Sequence, residues 1–317
     1  MSIWGINALN HGSSLAVFEG TDLKLKSWTV CEQDELDRDL IKQNLANGGP
    51  DTIYWYENPW MKKSRQLYAG QYASASNWSV LPKQYLKRAS LGYARLRYTP
   101  HHASHAAAGY YTSPFNHAAI VVLDAIGEWD CASIWQGLHG EITKVWSRRY
   151  PNSLGLLYSA FTKLVGLEPI KQEHLFQQMS LQGDPDRYYT TILDYILPPI
   201  NLQKNLHRGV QDWPHPILNL QDQCDIAAAV QAVFERNVDA VMRKAKRLTG
   251  ADCLIYMGGC AMNSLANQRV VESEWSYRWS LPQPGDPSSA IGAVLYHTKH
   301  RVWDYKWAPV KHIALRT

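Results

Sequence analysis

The sequence IWGINALNHGSSLAVFE, residues 3–19, contains two apolar runs separated by residues that favour a turn. Residues 3–9 and 15–19 have the length and composition of short strands, and residues 10–14 are typical of a tight connection. A further apolar run, residues 23–30, follows a second turn. Three successive strands joined by tight turns predict an antiparallel sheet whose first turn can approach a ligand.

The same pattern recurs in the middle of the chain. Strand-like runs lie at residues 118–124, 131–136 and 142–150, and the polar turn at residues 125–128 follows the first of them. Two copies of one strand pattern indicate an internal structural repeat. Helical and strand patterns alternate between and after the copies, so we expect an α/β protein with two related subdomains around one cleft, residues 1–116 and 117–317.

Composition restricts the class of protein. The chain has 317 residues, of which 45% are hydrophobic and 19% charged, as in ordinary globular proteins. No apolar run approaches the ~18–20 residues that a membrane span needs, and the first residues lack the pattern of a signal peptide. Five cysteines without zinc-type pairs favour a reducing compartment. We therefore expect a cytoplasmic protein without a membrane partner.

Charge is concentrated in residues 54–101, an insertion in the first subdomain. This stretch carries a net charge of +7, the rest of the chain carries −3, and ten aromatic residues are interleaved with the basic ones. Such a combination suits a polyanion whose bases can stack, although a solvated helical face over an aromatic core would give the same pattern. The candidate DNA contacts are Lys62, Lys63, Arg65, Lys83, Lys87, Arg88, Arg95 and Arg97.

A candidate metal site begins with His101 and His105, which are four residues apart in a predicted helix and therefore share one face. Two imidazoles suit iron, zinc or a related divalent ion, but need a third ligand. Asp286 is the candidate, although an aspartate before a helix is also a common N-cap.

Other polar turns are candidates for binding and catalysis. Gly258 and Gly259 follow a buried strand, and Asn263 and Asn267 lie on the next predicted helix, residues 261–272, where a phosphate or nucleoside could approach the backbone. The turn containing Gly127 and Glu128 could also bind phosphate. His11 could act as a general base, and Asp124 ends a buried strand at the same cleft; these are the two candidate catalytic residues.

Several segments together resemble the O-carbamoyltransferases of the nodulation-factor, cephamycin and tobramycin type. The resemblance spans nearly the whole chain and rests on INALNHGSSLAVF (6–18), HHASHAAAGYYTSPF (101–115), VVLDAIGEWD (121–130), NSLGLLYSAFTKLVGL (152–167), YMGGCAMNSLANQRV (256–270) and LPQPGDPSSAIGAVLY (281–296). That family has the actin-like, sugar-kinase-like (ASKHA) fold, so the resemblance implies this fold here.

The resemblance also assigns roles to residues. It implies that His101, His105 and Asp286 hold a metal, iron in related enzymes, beside the phosphate of a carbamoyl-adenylate. Asp124, Gly127 and Glu128 would face that phosphate, and Gly258, Gly259, Asn263 and Asn267 would line the nucleoside side. His11 would accept the proton of the acceptor hydroxyl.

The chain departs from the family pattern at three points. Gly12 stands where the family usually has an aspartate, and residues 173–179 replace a family segment that makes ribose or phosphate contacts. The sequence also ends soon after its closing helix, whereas the family usually continues into a YrdC-like domain that makes the carbamoyl-adenylate. We therefore expect carbamoyl phosphate as the direct donor, or an activating partner in trans, with ATP or AMP as a possible cofactor.

The acceptor is the least determined feature. The basic, aromatic-rich stretch favours 5-hydroxymethylcytosine in DNA, a hydroxymethylated pyrimidine that a phage-type modification enzyme would carbamoylate in the host cytoplasm. The alternatives are the hydroxyl of a sugar or natural product, and a non-catalytic or partner-dependent scaffold that binds nucleotide or DNA. A sugar kinase is a weaker interpretation, because the His101/His105 helix is foreign to kinases.

Overall fold

A computed structural model describes residues 1–271 and 274–302, with residue 271 described by its backbone alone. The final part of the predicted second subdomain, residues 303–317, and the expected helix end at residue 272 lie outside the described residues. Within the described part, no helix combines the length and the apolar character that a membrane span requires.

The first sheet is formed by the N-terminal strands. Its order is β3-β2-β1-β4-β5: β1 pairs with β2 and β2 with β3 in antiparallel fashion, whereas β1–β4 and β4–β5 are parallel. The strands are β1 Ser2–Asn10, β2 Gly12–Glu19, β3 Lys24–Cys31, β4 Thr52–Trp55 and β5 Arg95–Tyr98.

The second sheet repeats this arrangement. Read from β8, its order is β8-β7-β6-β11-β12, again with two antiparallel pairings followed by two parallel ones. Its strands are β6 His117–Gly127, β7 Asp130–Leu138, β8 Glu141–Arg149, β11 Cys253–Met257 and β12 Tyr277–Trp279, and a separate hairpin pairs β9 Ile196–Leu197 with β10 Asn201–Leu202. The repeat expected from the sequence is thus present as two mixed five-stranded sheets in an α/β protein.

Eleven α-helices connect or cover the strands within the described residues. They are α1 Arg38–Ala46, α2 Pro59–Tyr68, α3 Tyr72–Ser76, α4 Pro82–Arg88, α5 His101–Thr112, α6 Leu154–Leu164, α7 Glu173–Ser180, α8 Tyr189–Leu193, α9 Leu220–Thr249, α10 Ser264–Val271 and α11 Ser289–Thr298. Short 3₁₀ turns occur at Pro185–Arg187, Gly259–Met262 and Asp286–Ser288. The helix expected at residues 261–272 therefore begins later, after a 3₁₀ turn.

Helices α5 and α11 lie in the core that joins the two sheets. All residues of α5 are buried, which explains its alanine-rich sequence, because small side chains allow close backbone approach. Gly292 on α11 faces α5 so closely that a Cβ atom would lie 1.7 Å from the Ser104 carbonyl oxygen. A Cβ atom on Gly5 of β1 would likewise lie only 1.8 Å from the Ala290 carbonyl oxygen. This packing fixes the start of α5 relative to the turn before α11.

A second apolar core lies on the other face of the second sheet. There α6 and the 30-residue α9 cover β6 and β11. Asn219 begins α9 with a capping box in which its side chain accepts from Asp222 N, and Gly250 ends the helix in the left-handed region. The two cores leave the carboxyl ends of β1, β6 and β11 near the starts of α5 and α11.

Candidate metal centre

Four side chains from three chain segments converge where those segments meet. His101 and His105 lie one turn apart at the start of α5, Asp124 lies near the end of β6, and Asp286 begins the turn before α11. One donor atom from each lies within 4.8 Å of the donor atoms of the others. His101 Nε2 is 2.9 Å from Asp124 Oδ2, 3.1 Å from His105 Nε2 and 3.4 Å from Asp286 Oδ1.

The second imidazole, that of His105, also lies close to both carboxylates. His105 Nε2 lies 3.6 Å from Asp124 Oδ2 and 3.5 Å from Asp286 Oδ1. Neighbouring groups orient the carboxylates: Asn10 Nδ2 donates to Asp286 Oδ2 at 2.7 Å, and Ala125 N donates to Asp124 Oδ1 at 2.8 Å. Each carboxylate therefore has one oxygen held by the protein and one facing the two imidazoles.

Electrostatics couple the four groups. Burial opposes ionisation of His101 and His105, but Asp124 and Asp286 outweigh it and raise the pKa of both imidazoles. Burial likewise favours the neutral acids, yet the imidazoles hold the pKa values of both Asp124 and Asp286 below their usual range. Such a buried set stays charged only with a cation inside it, either protons on the imidazoles or a metal ion.

The donor set fits a first-row divalent metal. Two imidazole nitrogens and two carboxylate oxygens suit iron, zinc or manganese, and their spacing lets all four face a common centre. Gly259 lets the turn after β11 pack closely against Asp124, since a Cβ atom there would lie 3.0 Å from Asp124 Oδ1. The residues present can hold the metal that the sequence analysis expected.

Comparison with known proteins gives the family. Residues 52–295 match the sequence model described as carbamoyltransferase N-terminus, a range that contains all four clustered side chains. The chain belongs to this family.

Relatives of this carbamoyltransferase N-terminal domain include an uncharacterised protein of Synechocystis sp., 32% identical over 289 residues, covering 77% of this chain and 47% of the relative. Nodulation protein NolNO of Sinorhizobium fredii is 25% identical over 235 residues, covering 68% of this chain and 34% of that protein. Nodulation protein NolO of Bradyrhizobium diazoefficiens is 26% identical over 227 residues, with coverages of 66% and 41%. The chain spans less than half the length of these relatives.

The domain brings three predicted ligands together and adds a fourth. His101, His105 and Asp286 meet as the sequence analysis expected, whereas Asp124, expected to face a phosphate, lies among the candidate metal donors. Asn10, which sequence reasoning did not single out, contacts Asp286. The predicted base His11 is the next residue and is exposed at the hairpin turn, so the first sheet reaches the cluster through this turn.

The turn at residues 125–128, which was predicted to bind phosphate, packs against His101 of the cluster. A Cβ atom on Gly127 would lie 2.4 Å from the His101 ring, so this glycine allows the strand to pack against the imidazole. Glu128 is buried, and its Oε1 accepts hydrogen bonds from Asn58 N and His101 N. Burial raises the pKa of Glu128 to about 7.

The predicted nucleoside contacts are largely occupied by bonds within the domain. Gly258 adopts a positive φ of 94°, and its amide donates to Pro284 O at 2.8 Å. The Asn263 amide exchanges two hydrogen bonds with Gln231 and accepts one from Ala266 N, which caps α10. Asn267 Nδ2 donates to Ala261 O. These residues shape the turn after β11, and nucleotide binding there stays a prediction.

The basic stretch separates into inward and outward cations. Lys63 and Arg65 are buried, because α2 turns them towards backbone carbonyl groups of residues 75, 77 and 128. They are therefore not part of the outer surface that was predicted to contact DNA. Lys62 is half-buried and paired with Glu57 at 2.8 Å. The five remaining cations are exposed: Lys83, Lys87, Arg88, Arg95 and Arg97. The exposed aromatic residues of the stretch are Trp60, Tyr68, Tyr72, Trp78 and Tyr93.

Proposed function

We propose that the chain carries the transfer site of an O-carbamoyltransferase. The observation that carries the proposal is the convergence of His101, His105, Asp124 and Asp286 inside a family whose name specifies carbamoyl transfer. We infer further that the fold is actin-like and sugar-kinase-like, which the shared strand order of the two sheets supports. The five free cysteines support a cytoplasmic location.

The proposed reaction moves a carbamoyl group from a phosphate to an alcohol. The acceptor oxygen forms a bond to the carbamoyl carbon, the bond from that carbon to the phosphate oxygen breaks, and phosphate or AMP leaves with the bonding electrons. The hydroxyl proton goes to the imidazole of His11, exposed on the turn next to Asn10. A bound divalent metal, Fe²⁺ in this proposal, would stabilise negative charge on the carbonyl and leaving group.

The residues of the chain supply position and charge. Asn10 and the Ala125 amide hold the outer oxygens of Asp286 and Asp124, so the inner oxygens keep a fixed direction. Buried carboxylates and imidazoles in fixed positions reduce the reorganisation needed when charge develops. The donor in this proposal is carbamoyl phosphate or an adenylate made from it with ATP, which an activating unit could supply.

For the acceptor, we propose the hydroxymethyl group of 5-hydroxymethylcytosine in DNA. Five exposed cations and five exposed aromatic side chains in residues 60–97 support it, since cations attract phosphates and flat rings stack on bases. One alternative acceptor is the hydroxyl of a sugar or natural product. The other alternative is a scaffold that binds nucleotide or DNA without turnover.

The test is mass spectrometry of acceptors after incubation with the protein, carbamoyl phosphate and Fe²⁺, with and without ATP. We expect one carbamoyl group on 5-hydroxymethylcytosine nucleosides digested from DNA, lost with His101→Ala and kept with His174→Ala, an exposed histidine on α7. Product only on small alcohols would select the sugar or natural-product class. No product on any acceptor, in either condition, would contradict carbamoyl transfer by this chain.

A further inference from the structure

Arg65 is a buried cation whose charge has no carboxylate partner. The residue is 6% exposed, and among the described residues no carboxylate oxygen forms an ion pair with its guanidinium. Glu57, an acidic neighbour, is bound by Lys62 at 2.8 Å instead. An uncompensated buried charge is costly, so its retention in the interior indicates a ligand or a structural purpose.

The hydrogen bonds of Arg65 use only part of its donor set. Nε donates to Glu128 O at 3.2 Å and Nη1 to Gln71 Oε1 at 2.7 Å, while Nη2 has no hydrogen-bond partner among the described residues. The guanidinium carbon lies 6.0 Å from the centre of the Tyr150 ring. The guanidinium is therefore oriented by the protein, and one of its nitrogens is left for another acceptor.

A second arginine, Arg208, forms no ion pair within the described residues and lies near the end of α2. Arg208 is exposed, and its Nη2 lies 3.8 Å from where a Cβ atom of Gly70, after α2, would be. His207 packs edge-on against Tyr150 at 5.4 Å, and its buried Nδ1 lacks a partner within the described part of the chain. Burial lowers the pKa of His207, and the charges of Arg65 and Arg208 lower it further.

This group adjoins the candidate metal centre. The backbone oxygen of Glu128 binds Arg65, and the side chain of the same residue binds the backbone nitrogen of His101. Tyr68 and Trp129, whose rings are 5.4 Å apart, continue the wall beside Tyr150. One residue thus separates the unpaired arginine from a predicted metal ligand.

We propose that Arg65, His207 and Arg208 form a phosphate-binding subsite next to the metal centre. Phosphate oxygens can accept hydrogen bonds from Arg65 Nη2 and from the guanidinium nitrogens of Arg208. His207 Nδ1 supplies a third polar contact. The phosphate belongs either to the carbamoyl donor or to the acceptor, such as a DNA backbone. The subsite concerns binding alone and does not depend on carbamoyl transfer taking place.

Calorimetric titration of the purified protein with inorganic phosphate tests the subsite. Arg208→Ala should weaken phosphate binding about tenfold or more, because a charged hydrogen bond is lost, while the fold stays intact because Arg208 is exposed. Arg65→Lys keeps the charge but loses the fork and should also weaken binding. Arg247→Ala removes an exposed arginine on α9 and should leave binding unchanged.

Two further titrants identify the source of the phosphate. A loss of affinity for carbamoyl phosphate alone would assign the subsite to the donor, and a loss for a short DNA duplex alone would assign it to the acceptor. Metal content and circular dichroism are measured for every variant, so that indirect effects are recognised. The proposal is overturned if wild-type protein does not bind phosphate, or if Arg208→Ala binds it as tightly as wild type.

Discussion

At the scale of single residues, the cluster depends on how each carboxylate is oriented. Asp286 presents Oδ1 to both imidazoles because Asn10 holds Oδ2 at 2.7 Å. Asn10 is the last residue of β1, so a side chain of the first sheet fixes a predicted metal ligand that precedes α11. Groups that orient ligands tune metal affinity strongly although they never touch the metal.

We predict that Asn10→Ala lowers metal affinity about 10- to 100-fold, the usual cost of losing such an orienting partner. Competition with a metal-binding dye measures the affinity. Asn44→Ala is the matched control, since Asn44 is also partly buried and donates a single Nδ2 bond, to Leu40 O in α1. Equal metal affinity in Asn10→Ala and wild type would show that Asn10 does not orient Asp286.

At the scale of elements, the cluster depends on the contact between α5 and α11. Helix α5 carries both histidines, and the turn at Asp286–Ser288 leads directly into α11. Gly292 and the alanines of α5 bring the two backbones together, and the Ser289 hydroxyl lies 3.4 Å from His105 Nδ1. A change in helix separation would therefore move Asp286 relative to the histidines.

We predict that Gly292→Ala destabilises the protein by about 1–3 kcal/mol, the typical cost of an added methyl group in a packed core. The new Cβ atom would overlap the Ser104 carbonyl, which cannot move aside without shifting α5. Denaturant unfolding measures the change. Gly285→Ala is the control, because its nearest contact among the described residues would be Gly259 Cα at 3.8 Å, and it should change stability by less than about 0.5 kcal/mol. A wild-type unfolding midpoint for Gly292→Ala would refute the packing argument.

At the scale of the whole molecule, two sheets with one strand order meet around the cluster. The first sheet contributes Asn10, and residues 54–101 contribute five exposed cations and five exposed aromatic side chains. The second sheet contributes Asp124, and the loops that follow its strands surround the histidines.

We predict that the double variant Arg95→Ala, Arg97→Ala binds duplex DNA more weakly, with a salt dependence reduced by about two units of slope, one for each lost phosphate contact. The two residues are two positions apart on β5, so they share one face of the strand, and both are exposed. Fluorescence anisotropy at several salt concentrations measures this, with Arg243→Ala, Arg247→Ala on α9 as the matched double control. Absence of DNA binding by wild type at low salt would contradict the DNA acceptor.

Local pattern predicted much of this architecture. Alternating apolar runs indicated both three-stranded units, and the four-residue spacing of His101 and His105 indicated a shared face. Contacts between distant segments were harder to predict. Asp124 joins the cluster only because β6 ends beside α5, and Lys63 and Arg65 are buried because of how α2 packs, which a charge count cannot reveal. Residues 173–202, with α7, α8 and the small hairpin, carried no clear pattern.

The most direct test of the account is metal analysis after anaerobic dialysis against Fe²⁺. We expect about one tightly held metal ion per wild-type chain, since the four donors form a single centre. His105→Ala and Asp124→Ala should lose it, while His174→Ala, which changes an exposed histidine elsewhere, should keep it. Wild-type protein that retains no metal, or a His105→Ala variant that retains as much as wild type, would contradict the metal centre.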